Sequence, residues 1–171
     1  MSFSHLKKLL PCTPKHQLLA YLKQEPVDLK KLYSLALSEQ QPYAWRAAWL
    51  LSACLQKNDP GLSYFLEAIV KQLPVKTDGH NRELLHIIKR FEWKESWIAL
   101  LFDKCHLLWC TTASISSLRC NAFSILFDIV QIYPELKTEL ILLCEEHYLL
   151  ELSPAIKKSI LKKISLLTTR S

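Results

Sequence analysis

"LRCNAFSIL", residues 118–126, places an arginine at the start of a segment whose apolar residues are spaced for a buried helix. The same placement recurs along the chain. Arg46 lies in "YAWRAAWLLSACL" and Arg82 in "HNRELLHIIKRF", so the three arginines are separated by 36 and 37 residues. Lys157, in "IKKSILKKI", follows Arg119 by 38. A second series keeps the same period: "PGLSYFLEAIVKQL" begins at Pro60 and "PELKTELILLCEEHYLL" at Pro134, 74 residues apart, or two units of 37. Two helices per unit at such a period are the sequence signature of an α-solenoid.

Between these landmarks, proline marks the helix starts. Thr13-Pro14, Asp59-Pro60 and Ser153-Pro154 each set an N-cap residue before a proline, whose missing N–H costs nothing at the first helical position. Pro26, Pro42 and Pro134 fit the same role. The apolar spacing predicts helices over 14–24, 27–38, 43–57, 60–73, 80–91, 95–109, 116–132, 135–149 and 154–168, with a short helical segment near 3–10. The 60–73 helix is expected to bury Leu62, Phe65, Leu66, Ile69, Val70 and Leu73. The 154–168 helix is expected to bury Ile156, Ile160, Leu161, Ile164 and Leu167, with lysines on its other face. Short links favour antiparallel neighbours.

"LRCNAFSIL" resembles the first helix of a HEAT repeat, in which an aliphatic residue and an arginine precede an alanine and a leucine at fixed spacing. Leu118, Arg119, Ala122 and Leu126 fill those positions. Trp45 and Arg46 also match, although Trp49 stands in the alanine place and Asn81 in the aliphatic place before Arg82. The aspartate usual between paired helices is not evident. The resemblance covers roughly residues 42–168 and is to the short bacterial type of HEAT-like α-solenoid. It implies an all-α fold: a short right-handed α-α superhelix of antiparallel helix pairs, HEAT/ARM-like. It also implies that Arg46, Arg82 and Arg119 bond carbonyls or an acid in a neighbouring repeat while their stems pack on apolar surface. On this reading residues 1–171 form one domain. Its parts are an N-terminal capping hairpin at 14–38, repeats of about 37 residues over 42–152, and a C-terminal capping helix at 153–171.

Composition narrows the class. Half of the 171 residues are hydrophobic and only Gly61 and Gly79 are glycines. Asp78-Gly79 is the sole tight-hairpin pair, and two isolated glycines cannot build a phosphate-cradling loop, which disfavours all-β and nucleotide-binding α/β folds. The cysteines Cys12, Cys54, Cys105, Cys110, Cys120 and Cys144 have no C-x-x-C spacing. They read as small hydrophobes in a reduced, cytoplasmic chain. The N-terminus lacks the apolar core of a signal peptide, and no 18-residue apolar run is present.

The net charge of +6 is unevenly placed: residues 1–31 carry +4, 32–152 carry −3 and 153–171 carry +5. A nucleic-acid cradle should be basic along its groove. Here the predicted second helix at 135–149 is acidic, with Glu139, Glu145 and Glu146 as candidate partner contacts for a segment carrying lysine or arginine. Lys157, Lys158, Lys162 and Lys163 are the other candidates, able to meet phosphate or anionic lipid, and Arg170 follows them.

Chemistry is weakly represented. Trp45/Trp49 and Trp93/Trp97 are each four apart, as core residues on one helix face are. Some HEAT-like proteins are alkylpurine DNA glycosylases, for which Asp103 is a conceivable counterpart residue, but the adjoining tryptophan–aspartate pattern is missing. Glu83/His86 and Asp103/His106 share a carboxylate-x-x-histidine spacing, without the supporting glutamates of a di-iron bundle. No Gly-x-Ser-x-Gly is present, and neither is the methionine-containing signature loop of adenylosuccinate lyases. The expectation is a non-enzymatic interaction or scaffold module without cofactor or metal, binding another protein. The alternative is a nucleic-acid-binding relative of the glycosylases.

Overall fold

The computed structural model describes residues 3–24, 27–60, 63–74 and 77–168. Every element among them is helical. The chain divides into two compact units, residues 1–93 and 94–171.

In the first unit the helices are α1 (Phe3–Leu9), α2 (Lys15–Gln24), α3 (Leu29–Ala36), α4 (Tyr43–Cys54), α5 (Leu66–Gln72) and α6 (Asp78–Ile88). α4 packs against both α3 and α6. Ala44, Ala47 and Ala48 are fully buried on it at i, i+3 and i+4, and such small side chains let neighbouring helices approach closely. Two caps set the starts. The Asp28 carboxylate accepts from the N–H groups of Lys30 and Lys31, and the Thr77 hydroxyl accepts from that of His80. Pro26 and Leu62, to which the sequence assigned a helix start and a core position, lie outside the described residues. The 60–73 helix is shorter than its apolar pattern predicts. A 3-10 turn, Ser63–Phe65, leads into α5, and Phe65 is half-buried, stacked on Tyr33 at 4.3 Å.

In the second unit the helices are α7 (Glu95–Cys110), α8 (Ser116–Ile132), α9 (Lys137–Leu142), α10 (Glu146–Leu149) and α11 (Pro154–Thr168). α7 and α8 form a long hairpin whose buried seam runs from Leu101 and Cys105 to Trp109 on α7, and from Leu118 to Ile129 on α8. α11 packs on α8. Ser153 accepts the first helical bond of α11 through its carbonyl, as its predicted N-cap role requires.

Three expectations are corrected from Trp93 onward. The single helix predicted at 135–149 is a 3-10 turn, Pro134–Leu136, followed by α9 and α10. An unbroken helix would give the Leu143 carbonyl to the His147 N–H. Here it accepts from the Trp109 indole N–H at 2.8 Å. Leu161 of α11 is 51% exposed rather than buried. Trp93 precedes α7, so Trp93 and Trp97 do not share a helix.

Candidate functional site

A cation in the first turn of a helix is disfavoured by the macrodipole of that helix. Arg46 and Arg119 are each the fourth residue of their helix, so the compensation must come from elsewhere. It comes from carbonyls at the C-terminal ends of other helices, which lack intrahelical donors, and for Arg46 also from the turn before α2. Arg46 donates from Nε to the Leu10 carbonyl and from Nη2 to that of Thr13, both at 2.7 Å. Its guanidinium also lies 4.5 Å from the Trp49 ring. Arg119, completely buried, donates from Nε to the Trp109 carbonyl at 2.9 Å and from Nη2 to that of Tyr148 at 2.5 Å. Its guanidinium stacks 4.7 Å from the Trp109 ring. Arg119 thereby clasps the end of α7 to α10. Its Nη1 has no partner among the described residues.

Arg82 differs. It donates from Nε and Nη2 to Oε1 of Glu83, its neighbour on α6, while the Ser52 hydroxyl donates to Oε2 at 2.7 Å. Glu83 is therefore a buried acid held by an arginine and a serine from α4. His80 is also buried. Its Nε2 donates to the Ala36 carbonyl at 2.9 Å and its Nδ1 accepts from Gln41 Nε2 at 3.1 Å. Burial holds its pKa below the ordinary histidine value, against the opposing pull of the Ala36 carbonyl and Glu83.

The remaining candidate groups separate by exposure. Among the described residues no cluster of three or more His, Cys, Asp or Glu is gathered as for a metal. The described cysteines are free. Burial pushes the Cys54 and Cys144 thiols up to about 11 and about 12, the direction that suppresses a nucleophilic thiolate. Trp97 and Trp109 are buried, and Trp45, Trp49 and Trp93 half-buried.

The acids proposed as partner contacts are all at the surface. Glu139 lies on α9, Glu145 caps α10 and Glu146 begins it. Glu145 meets His147 at 3.6 Å in an exposed pair of little energetic weight. Leu142 and Leu150, 56% and 59% exposed, flank this acidic stretch in sequence. The α11 lysines divide. Lys158 and Lys162 are exposed, whereas Lys157 and Lys163 are half-buried and the Lys163 ammonium sits 4.4 Å from the Phe127 ring.

One feature was not anticipated from the sequence. At the open end of the α7–α8 hairpin, away from Arg119, a groove of about 360 Å³ lies over Ile98, Ala99, Phe102 and Ile129. Its rim carries Glu95, Asp103 and Glu135, and no lysine or arginine lines it. Glu95, Ala99 and Asp103 are spaced four apart on α7, which puts them on one stripe, and the small Ala99 leaves a gap between two carboxylates. That acid–small–acid stripe is the sequence signal of the groove, distinct from the metal-ligand and glycosylase readings of Asp103.

The family model for the HEAT repeat domain matches residues 4–164. The chain belongs to the HEAT repeat family, whose helical repeats commonly mediate protein interactions. No curated protein and no solved structure matches it. Among the described residues no helix is long and apolar enough to cross a membrane.

Proposed function

We propose that this chain is a non-enzymatic, cytoplasmic interaction module whose second unit binds a lysine- or arginine-bearing segment of another protein. The observation that carries this reading is the pairing of exposed acids with exposed aliphatic side chains along α9 and α10: Glu139, Glu145 and Glu146 beside Leu142 and Leu150. Apolar groups provide the burial that drives association, and the exposed carboxylates select the sign of the partner and speed its encounter. The HEAT arginines support the same reading, since Arg46 and Arg119 spend their donors on the fold itself.

The experiment is an affinity capture from nuclease-treated host lysate, followed by quantitation of the recovered partner with the Glu145→Lys/Glu146→Lys variant. A stoichiometric partner whose affinity drops about tenfold in the variant supports the reading. Unchanged affinity removes this face.

The second reading, nucleic-acid binding, is favoured by α11 alone, which has four lysines and no acid. It requires affinity for an oligonucleotide that falls steeply with salt and is lost in Lys158→Glu/Lys162→Glu. Two of the four lysines are half-buried, which leaves a small electrostatic footprint.

A further inference from the structure

We propose that the groove at the open end of the α7–α8 hairpin is the anchor site for a basic amphipathic helix of a partner protein. The inference rests on the protein-binding reading above but places the anchor on a different surface from α9 and α10.

The groove combines two properties that a solvated helix face does not need together. Between the acids its lining is apolar, with exposed Ala99 and half-buried Tyr133 and Leu136 beside the buried Ile98, Phe102 and Ile129, and at about 360 Å³ it falls at the small end of the roughly 300–1,000 Å³ typical of ligand pockets. Its rim is uniformly acidic. Among the described residues Glu95, Asp103 and Glu135 enter no ion pair. Three like charges around one depression repel one another and gain nothing within the monomer, whereas a cation brought to the rim relieves that repulsion.

Charge complementarity defines the occupant. Aliphatic residues on one face of a helix, at i, i+3 or i+4 and i+7, fill a shallow apolar groove between two helices. Lysines or arginines flanking that face meet the rim. Glu95 and Asp103 lie two helical turns apart on α7, about 12 Å along its axis, so they can meet cations about two turns apart on the incoming helix. An acidic peptide, a phosphate or a nucleic-acid backbone would be repelled by all three.

The test uses the intact protein and a synthetic peptide of about 14 residues, with leucines at i, i+3, i+4 and i+7 and lysines elsewhere. Binding is read by fluorescence anisotropy and mapped by amide chemical-shift changes. Single-site binding with shifts centred on residues 95–103 is expected. Ala99→Leu should weaken it about tenfold by filling the floor without altering charge. Since Ala99 is exposed and leucine is a good helix former, that variant keeps its fold. Glu95→Lys/Asp103→Lys should weaken binding at least as much, and a peptide with glutamates for lysines should not bind.

Wild-type affinity in Ala99→Leu overturns the groove, even if the charge variant weakens binding, because attraction would then be nonspecific. Loss of binding in Glu145→Lys/Glu146→Lys alone also overturns it and leaves the α9–α10 face standing. Loss in the groove variants alone upholds the groove and removes the α9–α10 face. Self-association of the protein alone, abolished by Ala99→Leu, overturns the assignment to a partner by seating a second copy's basic α11 there.

Discussion

Replacing Arg119 by methionine tests whether the HEAT arginine is a fold element. Methionine keeps most of the stem volume and removes the charge and all donors. Two charge-assisted hydrogen bonds are lost, each contributing about 1.5–3 kcal/mol, together with a cation–π contact of about 0.5–2 kcal/mol over Trp109. Against this, removing the charge recovers the desolvation cost of a buried guanidinium, which is several kcal/mol, and relieves the unpartnered Nη1. The loss of these donors by the carbonyls of Trp109 and Tyr148 is contained in the hydrogen-bond values above and is not a further cost. The balance is a destabilisation of about 2–3 kcal/mol, or roughly 5–10 °C in Tm for a chain of this size.

Urea unfolding followed by tryptophan fluorescence measures it, and Trp109 reports directly because it stacks on the substituted residue. Arg119→Lys should recover less than half of the loss, since an ammonium cannot span the two carbonyls as a planar fork does. Arg46→Met provides the internal comparison. Its arginine also bonds two carbonyls but is half-buried, so water replaces the lost donors and the cost is about 1 kcal/mol. An Arg119→Met variant within about 0.5 kcal/mol of wild type, or a larger loss at position 46, would refute the reasoning.

Two further outcomes are expected. Trp109→Phe removes the indole donor to the Leu143 carbonyl and leaves space beside Phe123; it should destabilise by about 2–3 kcal/mol in the same urea assay and increase amide exchange across residues 143–149. Stability should also fall in mild acid. His80 and His86 both have folded pKa values depressed below 6.5, chiefly by burial, so the unfolded chain binds more protons once the pH drops past 6.5. From near neutral pH Tm declines as the pH falls from 6.5 down through the depressed folded values, and His80→Gln should shallow the decline; a Tm that rises between neutral pH and pH about 5.5 would contradict the sign.

How much was legible followed from which forces act locally. Apolar spacing and helix-starting prolines placed α7, α8 and α11 to within a residue or so, because long amphipathic helices are written in their own periodicity. The arginine period revealed the repeat, and the carbonyl-bonding role that the HEAT resemblance implied holds for Arg46 and Arg119. Arg82 meets an acid as one of the two expected partners, but from its own helix. The break at Leu143–Glu145 carries neither proline nor glycine, so no local signal predicts it. Its tertiary partners are Trp109 and Arg119, both distant in sequence, which bond the carbonyls of Leu143 and Tyr148. Leu161 was misassigned because its position is set by how α11 docks on α8, and a period alone leaves that rotation open.

The groove was illegible for a related reason, and that reason separates it from the lock that Arg119 forms between α7 and α10. The two ends of the α7–α8 hairpin are built from opposite materials. At the closed end the residues are large and tightly packed: Trp109, Phe123 and Arg119 fill the space, and Arg119 caps the Trp109 carbonyl of α7. At the open end Ala99 leaves space unfilled, and Glu95, Asp103 and Glu135 remain uncompensated around it. A sequence pattern that marks residues as core or surface ranks Ala99 as an unremarkable exposed alanine and draws attention to Asp103 only through its spacing to His106 and its likeness to a glycosylase residue. Only the segment that follows α8 turns their combination into a concave, charged surface, with Tyr133 and Leu136 completing the lining and Glu135 the rim. Rigidity at the locked end serves the open end, since a groove held by a packed hairpin loses less conformational freedom on binding. Arg119→Met should therefore weaken binding of the basic peptide although Arg119 lies outside the groove, whereas Arg46→Met, in the other unit, should leave it unchanged. Equal effects of the two variants on peptide affinity would disconnect the lock from the groove.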